Sequence, residues 1–375
     1  AEPEQLPRIR ADALATLAQY AEGLATEDAT LLLIRRIEEV REQAARVLAP
    51  TDLEVAYAER RERTTILAAS SVSIGDRLRE LVFDRGGAVV MTSATLTSVP
   101  ISAPKPAVTE AHDYADEPAE SERVTSPPTP GPFSFVRQRL GLSELTLNEV
   151  RELVVQSPFD YEERTVFYGA RDLPEVQDPR FSEAAAERVK ELLAITEGGA
   201  FVLATSHRAL GELRRRLRGL PYRVLAQGDA PKRALLDAFR QEQHAVLLGT
   251  QTFWEGVDVP GFALRLVIVD KLPFFVPTDA VVQARSAALA ARGIEPFINY
   301  VVPAATILLK QGLGRLIRTQ RDFGIAAVLD GRLTTRGYGK RMLRQLGLGE
   351  PVSDLALVAE RYRALLAAHG PETAG

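Results

Sequence analysis

From Thr165 to Leu329 the chain alternates short apolar runs with longer stretches of helical periodicity, and this alternation constrains the fold more than any other feature. The runs Thr165–Tyr168, Ala200–Thr205, Arg223–Ala226, Ala245–Gly249, Leu266–Val269 and Ile325–Leu329 predict strands. Between most of them lie predicted helices at Ser182–Thr196, His207–Arg218, Pro231–Arg240, Thr278–Ala291 and Ala304–Arg318. A strand that is apolar along its whole length has no face to offer water. It belongs in a parallel sheet with helices on both faces, where function gathers at the carboxyl ends of the strands.

The chain before this region reads differently. Residues 7–49 carry helical periodicity rich in Ala, Leu, Arg and Glu, which predicts two helices in a hairpin. Arg63–Leu67 predicts a strand, Ile74–Phe83 a short helix, and Ala88–Met91 a buried strand. From Ser98 to Pro132 the sequence is rich in Pro, Ser, Thr, Glu and Ala without apolar periodicity, which predicts a linker and a domain boundary.

With 375 residues, 46% of them hydrophobic, the chain is long enough for two domains with a substantial core. Its net charge of −4 gives no bulk electrostatic footprint for nucleic acid, so any such binding must use local basic patches. There is no cysteine, which removes thiolate nucleophiles, disulfides and iron–sulfur ligands. The histidines, His112, His207, His244 and His369, lack metal-ligand spacing, so no metal site is expected. No apolar run is long enough to span a bilayer, and the start has no signal-peptide pattern, so the expectation is a cytoplasmic protein without membrane partners.

The segment Gln311-Gly312-Leu313-Gly314-Arg315-Leu316-Ile317-Arg318 sets two glycines and two arginines into a helical pattern. Each interior glycine costs roughly 1 kcal/mol relative to alanine, so the pattern implies a close approach to this backbone. At helical spacing Gln311, Arg315 and Arg318 share one face, which suits a polyphosphate. The alternative is a solvated basic face.

Two strand ends hold further candidates. Thr205-Ser206-His207 places small hydroxyls at a predicted helix start, which is either an anion site or an ordinary N-cap by Ser206. Gly249 to Gly261 holds the sole tryptophan, Trp254, with Glu255, Asp258 and three glycines, a mixture with little use in a structural connector. Asp270 ends an apolar strand as a nucleotide-site metal ligand would. No G-x-x-x-x-G-K-[ST] loop occurs to partner it, so it is set aside as the main metal site.

Taken in order, these segments resemble the DinG and XPD family of superfamily 2 DNA helicases, nearest its bacterial DinG and YoaA branch. Met91-Thr92-Ser93-Ala94-Thr95-Leu96 resembles motif III, Leu203-Ala204-Thr205-Ser206 motif IV, Gly249 to Asp258 motif V, and Gln311 to Arg318 motif VI. Ser157-Pro158-Phe159-Asp160-Tyr161, Lys271-Leu272-Pro273-Phe274, Leu329-Asp330-Gly331-Arg332-Leu333 and Tyr338-Gly339 fit as well, so the likeness runs from about Arg63 to Leu346. It implies an α/β fold with a RecA-like parallel sheet as helicase domain 2, an edge of domain 1, and an N-terminal arch-like helical segment. The corresponding division is 1–62 arch-like, 63–100 edge of domain 1, 101–132 linker, 133–348 domain 2, and 349–375 C-terminal helix and tail.

The resemblance further implies ATP-driven 5′ to 3′ movement on single-stranded DNA. Arg315 and Arg318 would reach the γ-phosphate, with Gln311 positioning water or phosphate. Ser93, Thr95, Glu255, Gly256 and Asp258 would couple nucleotide state to DNA and domain movement. Thr205, Ser206, Thr250 and Lys271 would contact DNA, and Phe253 or Trp254 would stack on a base, with core packing the alternative for at least one of them.

Motifs I, Ia and II are missing from the sequence, as is the cysteine-bearing segment of members that hold an iron–sulfur cluster. ATP and Mg²⁺ would therefore be held mainly by an absent RecA-like domain 1. The expectation is the C-terminal motor half of a helicase of DNA repair or replication stress, inactive by itself. The alternatives are a catalytically dead nucleic-acid-binding or partner-docking module, and a superfamily 2 enzyme acting on RNA.

Overall fold

The structure is a computed structural model. It describes residues 28–60, 63–93, 95, 131–143, 145, 149–155, 157, 159–254 and 257–371, with only the backbone at 28–33 and 254. In chain order the main elements are α1 (Asp28–Leu48), β1 (Glu54–Arg60), β2 (Thr65–Ser71), β3 (Thr165–Gly169), α2 (Phe181–Thr196), β4 (Ala200–Ala204), α3 (His207–Arg216), β5 (Val224–Ala226), α4 (Lys232–Gln241), β6 (Val246–Thr250), β7 (Leu266–Val269), α5 (Ala280–Ala291), α6 (Val302–Leu313), β8 (Gly324–Val328), α7 (Gly337–Leu346) and α8 (Leu355–His369). They divide into two compact units.

The larger unit is built on a six-stranded sheet in the order β3-β8-β7-β4-β6-β5, with every pairing parallel. Side chains alternate across it, as the strand period of two demands. Phe201, Leu203, Leu247, Val267, Val269, Ala326 and Val328 enter one core, with Leu235, Leu236 and Phe239 of α4, Leu309 and Leu313 of α6, and Met342 and Leu346 of α7. Val202, Ala204, Leu248, Leu266, Ile268, Ile325 and Ala327 enter the other, with Val189, Leu192 and Leu193 of α2, Leu210 and Leu213 of α3, and Val358 and Tyr362 of α8. Each fully buried Leu, Val, Ile or Phe contributes about 1.5–3 kcal/mol, and this double burial is why the runs read as apolar throughout. The architecture is the expected RecA-like α/β sheet with helices on both faces.

Opposite the carboxyl ends, the fully buried Arg265 stitches the N-terminal edge of the sheet. Its Nε donates to Thr196 O at 2.8 Å, Nη1 to Gln243 O at 2.7 Å and Phe262 O at 2.9 Å, and Nη2 to Glu197 O at 3.0 Å. Burial pushes the guanidinium pKa down. At the other end of β6, the Phe253 ring lies against Gly249, where a Cβ would meet its Cδ1 at 2.9 Å.

The smaller unit gathers the described residues up to Gly87 with 139–141 and 276–296. There β1 and β2 form an antiparallel hairpin from Glu54↔Ser71 to Arg60↔Thr65, and both α1 and α5 pack against it.

Several expectations change. Of the helical hairpin over 7–49, α1 lies in the described residues and the earlier part falls outside them. Residues 54–60, placed by the expected division within the helical segment, are a strand paired with β2. Thr278–Ala291, read as a helix of the second domain, begins at Ala280 and groups with the hairpin. Residues 88–91, expected as a buried strand, form no ladder, and Val90 is 83% exposed. An apolar run becomes a strand only where another strand offers its edge. The linker over 101–132 lies outside the described residues apart from 131 and 132. The helix expected to run through Arg318 stops at Leu313, with Gly314 as its C-cap.

Candidate nucleotide and nucleic-acid site

The carboxyl ends of the strands meet the segments singled out by sequence, and the end of α6 defines their geometry. Gln311, in its last turn, donates from Nε2 to Thr95 Oγ1 at 3.1 Å, and Thr95 N donates to Ser93 Oγ at 3.1 Å. Gln311, expected to position water or phosphate, is thus joined by hydrogen bonds to Thr95 and through it to Ser93, the two residues expected to couple nucleotide state to movement.

Because the helix ends, Arg315 and Arg318 do not share a helical face with Gln311. Both turn onto a single acceptor. Arg315 Nη1 donates to Val257 O at 2.9 Å and Arg318 Nη2 donates to the same oxygen at 3.1 Å. Arg318 Nε lies 3.6 Å from the Asp258 carboxylate. The correction keeps the residues together but changes how: convergence on the Val257 carbonyl replaces helical spacing.

The turn that carries Arg318 is held from below by Asp322, which is only 4% exposed. Its Oδ2 accepts from Arg318 N and Thr319 N, each at 2.7 Å, and its Oδ1 accepts from Gly261 N at 3.0 Å.

At the end of β4, Ser206 caps α3 by accepting from Ala209 N at 3.1 Å, which is the ordinary N-cap. Its neighbour Thr205 is tied to Asp270 at the end of β7. The carboxylate accepts from Thr205 N at 2.9 Å and from Thr205 Oγ1 at 3.4 Å. Burial pushes the Asp270 pKa up to about 6, against the opposing pull of Lys271 and the Thr205 hydrogen bonds. Lys271 itself is half-buried, its ammonium 5.2 Å from the centre of the Phe181 ring. One strand over, Asp330 accepts from Leu272 N at 2.9 Å and pairs with Arg332, whose pKa it raises.

Two expected DNA contacts are engaged inside the fold. Thr250 is buried, and its N and Oγ1 donate to Gln227 Oε1 at 2.8 and 2.9 Å. Phe253 is 4% exposed and packs edge-on to Phe201 with ring centres 6.3 Å apart, so it belongs to the core and presents no face to a base. Glu255 and Gly256 lie outside the described residues, as does the side chain of Trp254.

Sequence reasoning missed Asp322 and Gln227 and set Asp270 aside. Each is polar at the end of a strand or turn, which is a signal, but the partners that give it meaning are 61, 23 and 65 positions away.

ATP can be tested against these side chains. A buried guanidinium nitrogen, Arg318 Nε, has no hydrogen-bond partner among the described residues, so Arg318 keeps donor capacity for phosphate oxygens. The arginines fit a polyphosphate. Among the described residues no three acidic or histidine side chains stand together to hold Mg²⁺, so its ligands would come from outside them.

A family model described as a helicase C-terminal domain matches residues 189–347. The Escherichia coli (strain K12) protein named ATP-dependent DNA helicase YoaA is 32% identical over 77% of this chain and 40% of its own length. Its Haemophilus influenzae namesake is 38% identical over 61% of this chain and 35% of its own, and the Mycobacterium tuberculosis (strain H37Rv) ATP-dependent helicase DinG is 31% identical over 81% and 42%. Among solved structures, S. tokodaii Xpd4 superposes with a TM-score of 0.43 at 17% identity, covering 55% of this chain and 40% of that one. The parallel sheet thus carries a helicase C-terminal domain on a RecA-like α/β fold. Residues 189–347 belong to the helicase C-terminal domain family, and the chain is similar to the ATP-dependent helicases named YoaA and DinG, of whose length it spans about two fifths.

Proposed function

We infer that this chain is the second RecA-like half of an ATP-dependent motor that moves 5′ to 3′ on single-stranded DNA, in repair or replication stress. The observation that carries the reading is the convergence of Arg315 and Arg318 on Val257 O, beside Asp258. ATP with Mg²⁺, when bound, supplies the phosphoanhydride whose cleavage drives movement. Arg315 and Arg318 would hold its phosphate oxygens and offset negative charge there, the role that makes arginine worth about 10³–10⁵-fold in phosphoryl transfer. A guanidinium that turns toward another acceptor releases the Val257 carbonyl, so the loop carrying Trp254 and Asp258 responds to what the arginines hold. Gln311, through Thr95, carries the same information toward Ser93.

For DNA, Ser206 and the start of α3 offer an exposed helix N-terminus suited to a phosphate. Thr205 and Thr250 would act through the loops they brace, Lys271 would contact the DNA backbone, and Trp254 would stack on a base. The partner is a RecA-like domain carrying motifs I, Ia and II, without which the chain hydrolyses no ATP.

The test is DNA-stimulated ATP hydrolysis by a polypeptide that joins this chain to such a domain, with Arg315→Ala and Arg318→Ala compared. Turnover should fall about 10³-fold or more while nucleotide still binds. Undiminished turnover in both variants would refute the motor reading, and robust hydrolysis by this chain alone would refute its dependence on the other half.

A further inference from the structure

We propose that Asp322 is a positioning residue for the arginine pair, tying the backbone of Arg318 to the loop that runs from Val257 to Gly261, so that both arginines and the carbonyl they share move as one body. The inference rests on the motor reading for its consequence but on geometry for its existence. Asp322 lies beyond the Gln311–Arg318 segment and touches neither guanidinium. It reads three backbone amides instead: Arg318 N and Thr319 N through Oδ2, and Gly261 N through Oδ1.

Each feature around it favours this task over simple satisfaction of a turn. A carboxylate that only closed the 318–322 turn would need the two nearby amides, whereas the third belongs to a loop 61 positions earlier. Gly261 presents that amide with φ at +85°, a conformation other residues rarely adopt. The neighbours continue the lacing, since Phe262 and Phe323 pack with ring centres 6.1 Å apart. The segment between Val257 and Gly261 is therefore held at both ends, by the arginines at its start and Asp322 at its finish. Rotation of either guanidinium then acts on a loop of fixed length rather than a slack one.

The substitution that isolates the tether is Asp322→Asn. Its Oδ1 can still accept from Arg318 N and Thr319 N, while its Nδ2 turns a donor toward the Gly261 amide and cannot bond it. Amide hydrogen exchange of the full 375-residue chain reads this directly. Exchange at Gly261 should rise about tenfold or more, with Arg318 and Thr319 changed much less. Unchanged exchange at Gly261 overturns the proposal. Gly261→Ala strains the other end of the same bond and should raise exchange at that residue too, which keeps the test decisive if Asp322→Asn folds poorly.

The functional arm uses the polypeptide joined to the phosphate-loop domain. Asp322→Asn should lower kcat for DNA-stimulated hydrolysis about tenfold and change KM for ATP less than about threefold, since alignment is lost and contact is not. A fall in kcat that only follows the amount of folded protein overturns the positioning role. Arg318→Ala is the control. If it leaves turnover intact, the motor reading fails, and the exchange experiment alone judges the tether.

Discussion

Replacing Asp270 by asparagine should remove a downward slope in the stability of this chain between pH 4 and pH 7. The carboxyl is 3% exposed, and its pKa rises from an ordinary 3.8 to about 6 because burial penalises the charged form. Between those values the folded chain keeps a proton that the unfolded chain has released, so stability falls as pH rises through the window and levels off above about 6. The gap corresponds to about 3 kcal/mol, a large share of the stability of an ordinary domain. Asparagine carries no charge and its Oδ1 can still accept from Thr205 N, the shorter of the two bonds between Asp270 and Thr205. Urea unfolding followed by circular dichroism at pH 4, 5, 6 and 7 gives the comparison, with other titrating groups cancelling between the two proteins. The variant should gain about 3 kcal/mol on the parent between pH 4 and 7. Parallel curves, or a parent that gains stability relative to the variant as pH rises, would refute the argument that burial governs this carboxyl.

Two other substitutions separate framework from site. Phe253→Ala should cost about 3–5 kcal/mol by opening a cavity, seen as a lower urea midpoint, while the folded variant keeps its affinity for single-stranded DNA. Loss of DNA binding at full stability would restore Phe253 as a stacking residue. Arg265→Met should cost about 3–5 kcal/mol, because the carbonyls of Thr196, Glu197, Gln243 and Phe262 lose their shared donor far from the arginine pair. A melting temperature within a degree or two of the parent's would contradict that account.

The sheet was legible because its strands are buried on both sides, and burial on both sides writes itself into sequence as an unbroken apolar run. The same logic failed at Ala88–Met91, since a run states that a segment is apolar but not that another strand lies beside it. At the end of α6, the periodicity continues through Arg318 although the helix does not. The glycines at 312 and 314 mark the place, and a reading that took them for close approach within a helix overlooked Gly314 as a cap. Gln311, Arg315 and Arg318 stand out in the sequence by their chemistry, which does not depend on whether the helix continues. Asp322, Asp270 and Gln227 were not given their roles, because each acts on an amide that only the fold brings near.

The contact between Gly249 and Phe253 limits how sequences like this one can vary. A side chain at 249 would begin 2.9 Å from the phenylalanine ring, and that ring is anchored edge-on against Phe201. No single replacement at 249 is tolerated while the ring stays, and shrinking the ring first opens a void that glycine does not fill. A residue larger than glycine at 249 therefore calls for a smaller one at 253, so in a library of double variants any such replacement should be recovered with a smaller partner at 253.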